Sequence, residues 1–359
     1  VDNGATQVVM APGAVTDVRA DATTAGEVTL SWTPPLANKS NGDAATGYRI
    51  YASDNGFGFD GGRFVAGGGT NTHTITGLDT GVPYYFKVVA VNDGGESPGT
   101  EVVAATANGA QNDVLIVNGF DRLDRTLNPE QPAAGGLVER VRPRQSNSFD
   151  YAVQVAEAIE AHAPNLNIDT AANEALINGS VNLTNYSTVV WVLGEESSAD
   201  DTFDATEQTL VTQYVAGGGN LMVSGAEVAW DLDNLNNGRS FYNNELRAGY
   251  VADDAGTYDV QGVAGSIFDG LSFSFDDGTL FYNANFPDVI APSAGSAAAL
   301  NYVGGVGGGA ATQFDGGANG ARVVTFGFPF ETITTEADRN AVMARVLEFF
   351  DIGSPLTTI

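Results

Sequence analysis

The stretch that most constrains this chain is residues 213–233, which read QYVAGGGNLMVSGAEVAWDLD. Three consecutive glycines after Ala216 are typical of a helix end and the loop that follows it. The segment Asn220–Val223 is too short and too apolar to be anything but a core strand. Ser224 to Glu227 then follow the carboxyl end of that strand, which is where open α/β sheets bind ligands. The stretch therefore predicts an α/β domain and the position of a site.

The charge balance excludes two classes of partner. The chain has 359 residues, enough for two or three domains, and carries 44 acidic against 15 basic residues, a formal net charge of −29. Nucleic acids and anionic membranes would be repelled by such a surface. The composition suits high ionic strength, where salt screens the self-repulsion, so a marine or halophilic source is one interpretation.

The features that the sequence lacks bear on where the protein is located and how it is processed. There is no cysteine, so disulfides and thiolate chemistry are excluded. No apolar run approaches the length of a transmembrane helix, so no membrane insertion is expected. The chain starts at Val1 without the pattern of a signal peptide. We interpret it as a mature or excised part of a longer secreted or cell-surface protein, with an upstream domain missing.

The first third of the chain has the pattern of an all-β sandwich. Residues 1–11 are interpreted as a linker, and short alternating strands with turn clusters fill residues 12–107. In Glu27–Trp32 the side chains of Val28, Leu30 and Trp32 fall on one face. In residues 54–62 a glycine-rich hairpin is favoured over a calcium loop, because no bidentate acid follows at a fitting spacing.

These residues resemble a fibronectin type III domain. The resemblance depends on Leu30-Ser31-Trp32, on residues 48–51 (YRIY), and on Gly77-Leu78 followed by Tyr84. It implies a tyrosine corner in which the Tyr84 hydroxyl bonds the backbone near Leu78. The family's usual role is that of a spacer or an adhesive module.

The rest of the chain alternates strands and helices, which predicts a three-layer α/β domain with a mostly parallel sheet. A linker at 108–112 precedes this domain at 113–352, and 353–359 form a tail. Asp204 is predicted to cap a helix with Glu207 in capping-box position. The predicted strands are 113–117, 165–169, 188–193 and 220–223, with a meander at 300–303, 311–314 and 321–326. The predicted helices are 149–162, 204–214, 239–248 and 335–350. Residues 253–286 are expected to be mostly β, with a hairpin turn at 276–278.

Four strands end in polar sequences at one edge of this sheet, because right-handed crossovers place their following loops together. Convergence of acids, hydroxyls, aromatics and an arginine is the usual form of a site. Helix caps and solvated loops are the alternative, above all for Asp200, Asp201 and Asp204. The candidate ligand-binding residues are Asp121, Arg122, Glu195, Glu196, Ser197, Ser224, Glu227, Trp230, Asp231, Phe328 and Glu331.

Residues 113–351 resemble the class I glutamine-amidotransferase-like, flavodoxin-like fold. The helix, triple glycine and strand of residues 207–224 carry the resemblance, together with residues 322–330 (RVVTFGFPF) before the last helix. Its relatives include trehalose-utilisation and β-galactosidase-trimerisation domains. The pairing with a fibronectin domain resembles the C-terminal parts of secreted bacterial proteins that act on cell walls or polysaccharides.

The sequence departs from that family at its catalytic centre. The family has a cysteine nucleophile at the turn after strand four and a histidine beside it, whereas this turn offers Ser224. In this domain only His162 could serve as a base, and it lies in the last turn of the first predicted helix, about 20 Å from the site at 1.5 Å per residue. A serine triad is therefore disfavoured, and Ser224 is interpreted as a turn residue or a hydrogen-bonding contact.

Carboxylates remain as the chemical groups of the site, and three uses stay open. Two of them could act as acid and base in glycoside hydrolysis. The catalytic candidates are the acids Glu195, Glu227 and Asp121, together with Ser224. Several could hold Ca²⁺ or Mg²⁺, although no cofactor is required. They could also bind sugar hydroxyls beside Trp230, Phe328 and Phe330. Residues 231–238 weakly resemble a calcium loop, and Arg140, Arg142 and Arg144 could form a lid or only a surface loop.

The favoured hypothesis is a secreted, non-catalytic accessory or surface module that binds a glycan, a cell-wall component or a cation at the strand ends. The missing cysteine and the distant histidine favour it over an enzyme. The first alternative is a carboxylate-dependent hydrolase acting on polysaccharide or peptidoglycan. The second alternative is a self-assembling extracellular structural protein.

Overall fold

The computed structural model describes residues 8–38, 40–109, 113–122, 130–139, 149–198, 201–316 and 319–353. The strands of the first third are β1 (Thr16–Asp21), β2 (Glu27–Thr33), β3 (Gly47–Ser53), β4 (Arg63–Ala66), β5 (Thr72–Thr76), β6 (Pro83–Asn92), β7 (Gly95–Glu96) and β8 (Val103–Thr106). The strands that follow are β9 (Val114–Asn118), β10 (Glu130–Ala133), β11 (Gly136–Glu139), β12 (Ile168–Ala172), β13 (Thr188–Gly194), β14 (Asn220–Gly225), β15 (Ala248–Ala252), β16 (Asp259–Gly262), β17 (Ser272–Ser274), β18 (Val289–Pro292), β19 (Ala297–Tyr302), β20 (Gly309–Asp315) and β21 (Arg322–Phe326). The α-helices are α1 (Ala152–His162), α2 (Asn173–Ile177), α3 (Ala205–Ala216), α4 (Arg239–Asn244) and α5 (Glu336–Phe349).

Strands β1 to β8 form a sandwich of two antiparallel layers. One layer contains β1, β2 and β5, and the other contains β4, β3, β6 and β7, with β8 paired to β6. The alternation in β2 puts Val28, Leu30 and Trp32 into the core between the layers, at 2% exposure or less. The sandwich predicted from the sequence is thus confirmed.

Two local predictions in the sandwich are also confirmed. The Tyr84 hydroxyl accepts a hydrogen bond of 3.0 Å from the backbone N–H of Asp79, one residue beyond Leu78. Strands β3 and β4 pair as a hairpin across residues 54–62. Within that loop the Asp60 carboxylate is occupied by the backbone N–H groups of Ala52 and Gly62, so it serves the turn.

The second domain is built on five neighbouring parallel strands within a larger mixed sheet. Their order across the sheet is β12, β9, β13, β14, β21, and every adjacent pair is parallel. Numbered by their place in the chain, they run 2-1-3-4-5, which is one of the two common orders of doubly wound sheets. Antiparallel strands extend the sheet beyond β21, starting with β20.

Alternate side chains of the parallel strands enter two different clusters. Val114 and Ile116 of β9 pack in the cluster that contains buried residues of α1 and α5. Leu115 and Val117 pack in the cluster that contains buried residues of α2 and α3. A strand that is buried on both faces must be apolar throughout, which explains the continuous apolar runs in the sequence.

Several boundaries differ from the sequence-based predictions. The second parallel strand is β12 at Ile168–Ala172, not 165–169, because Asn167 donates its backbone N–H to the Asp113 carboxylate in a turn. Residues 253–286 were predicted to be mostly β but contain only β16 and β17 among their described strands. The turn at 276–278 is wider than a hairpin, since Asp276 accepts backbone N–H groups of Thr279 and Leu280. The capping box of Asp204 and Glu207 at α3 is confirmed.

The two domains share one sheet. Strand β1 of the sandwich pairs antiparallel with β12, so that Arg19 lies opposite Ala171 and Ala20 opposite Thr170. In the described part of the chain, fourteen strands form this continuous sheet. Core residues also cross the boundary, because Tyr85 of the sandwich belongs to the cluster around α1. The sandwich is therefore a fixed part of the structure rather than a separate spacer.

The fold is thus that of a multidomain chain: a β-sandwich joined to a large mixed sheet that has parallel strands and a few helices. The helices within the described ranges include none that is both long and apolar enough to cross a membrane.

Candidate functional site

The candidate site lies at the carboxyl edge of the parallel strands. The register places Asn118 of β9 opposite Val192 of β13, and Val192 opposite Ser224 of β14. Ser224 is in turn opposite Phe326 of β21. The residues that follow these four strands must therefore emerge at the same edge, as expected from right-handed crossovers.

Glu196 joins the loops after β9 and β13. Its side chain is 0% exposed, and one carboxylate oxygen accepts the backbone N–H groups of Asp121 at 2.8 Å and Arg122 at 3.1 Å. These two hydrogen bonds to backbone amides connect both loops where the sheet reverses its winding direction. Glu196 therefore holds the site together, and this geometry gives it a structural role.

Glu195 is a nearly buried acid in an unusual environment. Glu195 is only 6% exposed, and burial raises the pKa of its carboxyl to about 8. The positive charge of Arg122 lowers this pKa, and the negative charge of Glu227 raises it further. The backbone N–H of Asn285 also donates to this carboxyl. At neutral pH this carboxyl is therefore largely protonated, and it can donate a hydrogen bond as well as accept one.

Glu227 occupies the sharp turn after β14 in a strained conformation. Its φ is 66°, in the left-handed region that costs a residue with a Cβ about 1–2 kcal/mol. Burial raises the pKa of its carboxyl, Asp253 adds to the rise, and the Ser197 side chain opposes it through a hydrogen bond. Ser197 also has a positive φ, of 65°. Non-glycine residues held in this region cluster at functional sites.

Ser224 is placed differently from the sequence-based interpretation. Strand β14 continues to Gly225, so Ser224 lies inside the sheet at 0% exposure instead of in the turn. Its hydroxyl accepts the backbone N–H of Phe330 at 3.3 Å, which ties β14 to the segment after β21. The residue at the turn is Glu227, three positions later. His162 lies in the last turn of α1, the helix end farther from this edge.

Asp231 and Glu331 point into the protein instead of toward a ligand. Asp231 is 0% exposed and accepts from the backbone N–H and hydroxyl of Thr202 and from the Asn237 amide. Glu331 is 1% exposed and accepts the Tyr282 hydroxyl at 2.6 Å, while burial raises its pKa to about 7. Both were expected to contact a ligand, but the structure buries them, and neither carboxylate reaches solvent.

The aromatic platform proposed for sugars is also corrected. Phe328 and Phe330 are both 0% exposed, and the Phe328 ring stacks on Phe275 with a centroid distance of 4.5 Å. They are core residues below the site. Trp230 is half-buried and packs edge-on against Tyr250 at 5.9 Å, so part of its surface faces solvent.

Asp121 is exposed and accepts a hydrogen bond of 3.3 Å from the Asn173 amide, which also donates to Glu207 at 3.0 Å. The sequence reasoning missed Asn173 because it placed the second strand three residues too early. With the correct boundary, Asn173 directly follows β12 at the same edge. It also missed Asp253, Asn285 and Asp288, which come from an irregular region without a periodic pattern.

Asp288, from this irregular region, supports the turn at the strand-end site. Its carboxylate, 0% exposed, accepts the backbone N–H groups of Ala229 at 2.9 Å and Trp230 at 3.2 Å. These amides open the helical turn that follows Glu227. Burial raises the pKa of Asp288 well above its ordinary value.

Metal ligation finds no support in the described ranges, where no three acidic or histidine side chains are grouped as a cation would require. In residues 231–238 the oxygens of Asp233 are occupied by Arg239, Asn243 and the Tyr250 backbone N–H. Arg140, Arg142, Arg144 and Asp200 lie outside the described residues.

Comparison with known proteins identifies the first domain. Residues 13–106 match the fibronectin type III domain family, and this segment is a fibronectin type III domain. The resemblance predicted from the sequence is thus confirmed over these residues. Such domains are typical of extracellular proteins, where they serve as accessory or binding modules.

Solved structures that match include fibronectin type III domains of chicken, Drosophila and human proteins. The FN1–FN3 domains of chicken CNTN1 are 20% identical, covering 25% of this chain and 30% of that one, with a TM-score of 0.22. The FN5 domain of Drosophila Lar is 24% identical, covering 26% and 95%, with a TM-score of 0.22. The third fibronectin III domain of human KIAA0343 is 21% identical, covering 29% and 88%, with a TM-score of 0.22.

Proposed function

We propose that this chain is an extracellular accessory module that binds a hydroxyl-rich ligand, a glycan, at the carboxyl edge of its parallel strands. The observation that carries the proposal is the turn at Glu227, where a strained acid stands beside Glu195 and Arg122. A strained backbone persists only where the surrounding structure enforces it, and such sites are commonly functional. The fibronectin type III domain supports the extracellular accessory role.

The scaffold proposed for the second domain is the three-layer, amidotransferase-like fold. The 2-1-3-4-5 order of its parallel strands and the helices packed on both sheet faces support it. The left-handed residue in the turn after the fourth parallel strand also fits, since nucleophiles of α/β enzymes occupy such strained turns. Here that position is Glu227, and the sequence contains no cysteine.

A glycan fits this edge better than a cation. Arg122 lowers the negative potential at Glu195 and Glu227, which disfavours a divalent ion there. Sugar hydroxyls can both donate to an ionised carboxylate and accept from a protonated one or from an arginine. Trp230, three residues after Glu227, supplies a partly exposed ring.

One observation favours hydrolysis as the second candidate function. The Glu195 carboxyl is nearly buried and has a pKa of about 8, while its neighbour Glu227 is only half-buried. Two acids whose environments separate their pKa values are the usual acid–base pair of glycoside hydrolysis. In that role Glu195 would protonate the leaving oxygen and Glu227 would act as base or nucleophile.

The test is calorimetric titration of the full chain with neutral and acidic oligosaccharides, followed by product analysis of the same mixtures. Glu227→Gln and Glu195→Gln should each weaken binding at least tenfold, about 1.4 kcal/mol. Glu348→Gln, an exposed acid in the last turn of α5, is the matched control and should bind normally. If the unmodified chain releases reducing sugar and both site variants do not, the function is hydrolysis rather than binding alone. No binding and no product across the panel would refute the site.

A further inference from the structure

A polar cavity lies where the two domains meet, and it shares no lining residue with the strand-end site. Its volume is about 170 Å³. Residues of β1 and the turn after it form one wall, and the segment 180–186, after α2, forms the opposite wall. Between them Leu115 and Ala171 form the floor, on the sheet face that packs against α2 and α3. The cavity exists only because β1 is paired with β12.

The charged group at its base is buried and held in place from both domains. Asp169 is 2% exposed and accepts the backbone N–H of Ala22, in the sandwich, at 3.1 Å. Its other oxygen accepts the Tyr186 hydroxyl at 3.0 Å. Burial raises the pKa of Asp169 to about 7. A group fixed in this way is preorganised for a ligand, since no side chain needs to be ordered on binding.

The remaining lining contains both donors and acceptors. Arg19 and Asp21 face the cavity from β1, and burial raises the Asp21 pKa while Arg19 opposes the rise. The side chains of Ser180, Asn182 and Asn185 line the exposed rim. The floor and the Tyr186 ring add apolar surface. The cavity is thus more polar than most small-molecule sites, so hydrogen bonds rather than apolar contacts would hold a ligand there.

Charge and size restrict the ligand class. Two carboxyl groups repel an anion, while Arg19 inside the same cavity opposes a cation. The volume is below the 300–1,000 Å³ or so of drug-sized pockets, so one small ring fits and a larger ligand would place only one residue inside. A neutral ring with several hydroxyls can donate to Asp21 and Asp169 and accept from Arg19 and the asparagine amides.

We infer that this cavity, framed by Arg19, Asp21 and Asp169, binds one neutral sugar residue. Because its walls come from both domains, the ligand contacts the fibronectin domain and the second domain together. It therefore stabilises their docking by mass action.

The test is calorimetric titration of the full chain with glucose, galactose, mannose and N-acetylglucosamine, with glucosamine and glucuronate as cationic and anionic comparisons. At least one neutral sugar should bind more tightly than both charged ones. Asp21→Asn should weaken that binding at least tenfold, about 1.4 kcal/mol. Ser180→Trp, which fills the cavity from an exposed rim position, should abolish it.

Two controls separate this site from other effects. Asp93→Asn removes an exposed acid of the fibronectin domain. It should change the dissociation constant for the sugar by no more than about twofold, well below the tenfold loss expected for Asp21→Asn. Glu227→Gln should also leave it intact, which distinguishes this cavity from the strand-end site. Ser180→Trp should melt like the unmodified chain. Absence of binding by all neutral sugars, preference for glucosamine or glucuronate, or binding that survives Ser180→Trp would overturn the assignment.

Discussion

At the scale of single residues, this protein keeps acids where stability alone would not place them. Glu227 has a φ of 66°, a conformation that glycine adopts without strain. Glu195 is almost buried beside it, and burial keeps its carboxyl largely protonated at neutral pH. A turn with a purely structural role would be served better by glycine, so the presence of a carboxylate there is the strongest indication of function.

Glu227→Gly is therefore expected to stabilise the protein while abolishing binding at the strand-end site. Relief of the left-handed strain should raise the free energy of unfolding by up to about 1 kcal/mol, measured by urea denaturation. Asn236→Gly is the control, since Asn236 has the same φ of 66° but asparagine tolerates it, and the gain should be smaller. A loss of stability in Glu227→Gly would mean that the carboxylate supports the turn and that its strain is compensated locally.

At the scale of elements, the pairing of β1 with β12 decides how the domains behave. Thr170 of β12 is 0% exposed; its hydroxyl donates to the Ala104 carbonyl at 2.7 Å and accepts the Ala104 N–H at 3.1 Å. Asn108 spans the same boundary, because its amide donates to the Leu166 carbonyl at 3.0 Å. Because of these hydrogen bonds the two domains are docked against each other as one unit, instead of being connected only by a linker.

Thr170→Val should lower the free energy of unfolding by about 1–3 kcal/mol, because both buried backbone groups of Ala104 lose their partner. We expect the unmodified chain to unfold in one transition when urea denaturation is monitored by tryptophan fluorescence. Thr209→Val, at an exposed position of α3, is the control and should change stability by no more than about 0.5 kcal/mol. Two separate transitions in the unmodified chain would contradict the docking of the domains.

At the scale of the whole molecule, buried acids set the response to pH. Burial raises the pKa values of Glu101 and Glu195 to about 8 and those of Asp169, Glu174, Glu207 and Glu331 to about 7. The folded state therefore retains protons that the unfolded chain releases near its ordinary pKa values of 3.8 to 4.5. A state that binds more protons loses relative stability as they are removed.

Stability should therefore fall as the pH rises from about 4, where the unfolded chain starts to release these protons, to about 8, which urea titrations at unit intervals would measure. Glu195→Gln should flatten the upper part of this slope, because its carboxyl is deprotonated near pH 8. Repeating the series at about 1 M salt separates this effect from repulsion between surface charges, because the screening length is then only about 3 Å. Stability that increases from pH 5 to 8 would show that the buried acids are stabilised as anions.

The sequence by itself determined the local features. Alternation in β2 predicted the sandwich core, Tyr84 predicted its corner, and Asp204 with Glu207 predicted the start of α3. The apolar strands and the glycines after Ala216 placed the carboxyl edge of the sheet. These features follow from neighbours within a few residues, which is the range that side-chain periodicity and capping encode.

Only the tertiary structure decided which of the candidate site residues are buried. Ser224, Asp231, Phe328 and Glu331 resemble site residues in the sequence, yet the sheet and the segments packed on it bury all four. The contributions of Asn285 and Asp288 come from an irregular segment, and the shared sheet of β1 and β12 joins strands about 150 residues apart. Burial and long-range pairing depend on the packed whole, because no local pattern specifies what a side chain meets across the fold.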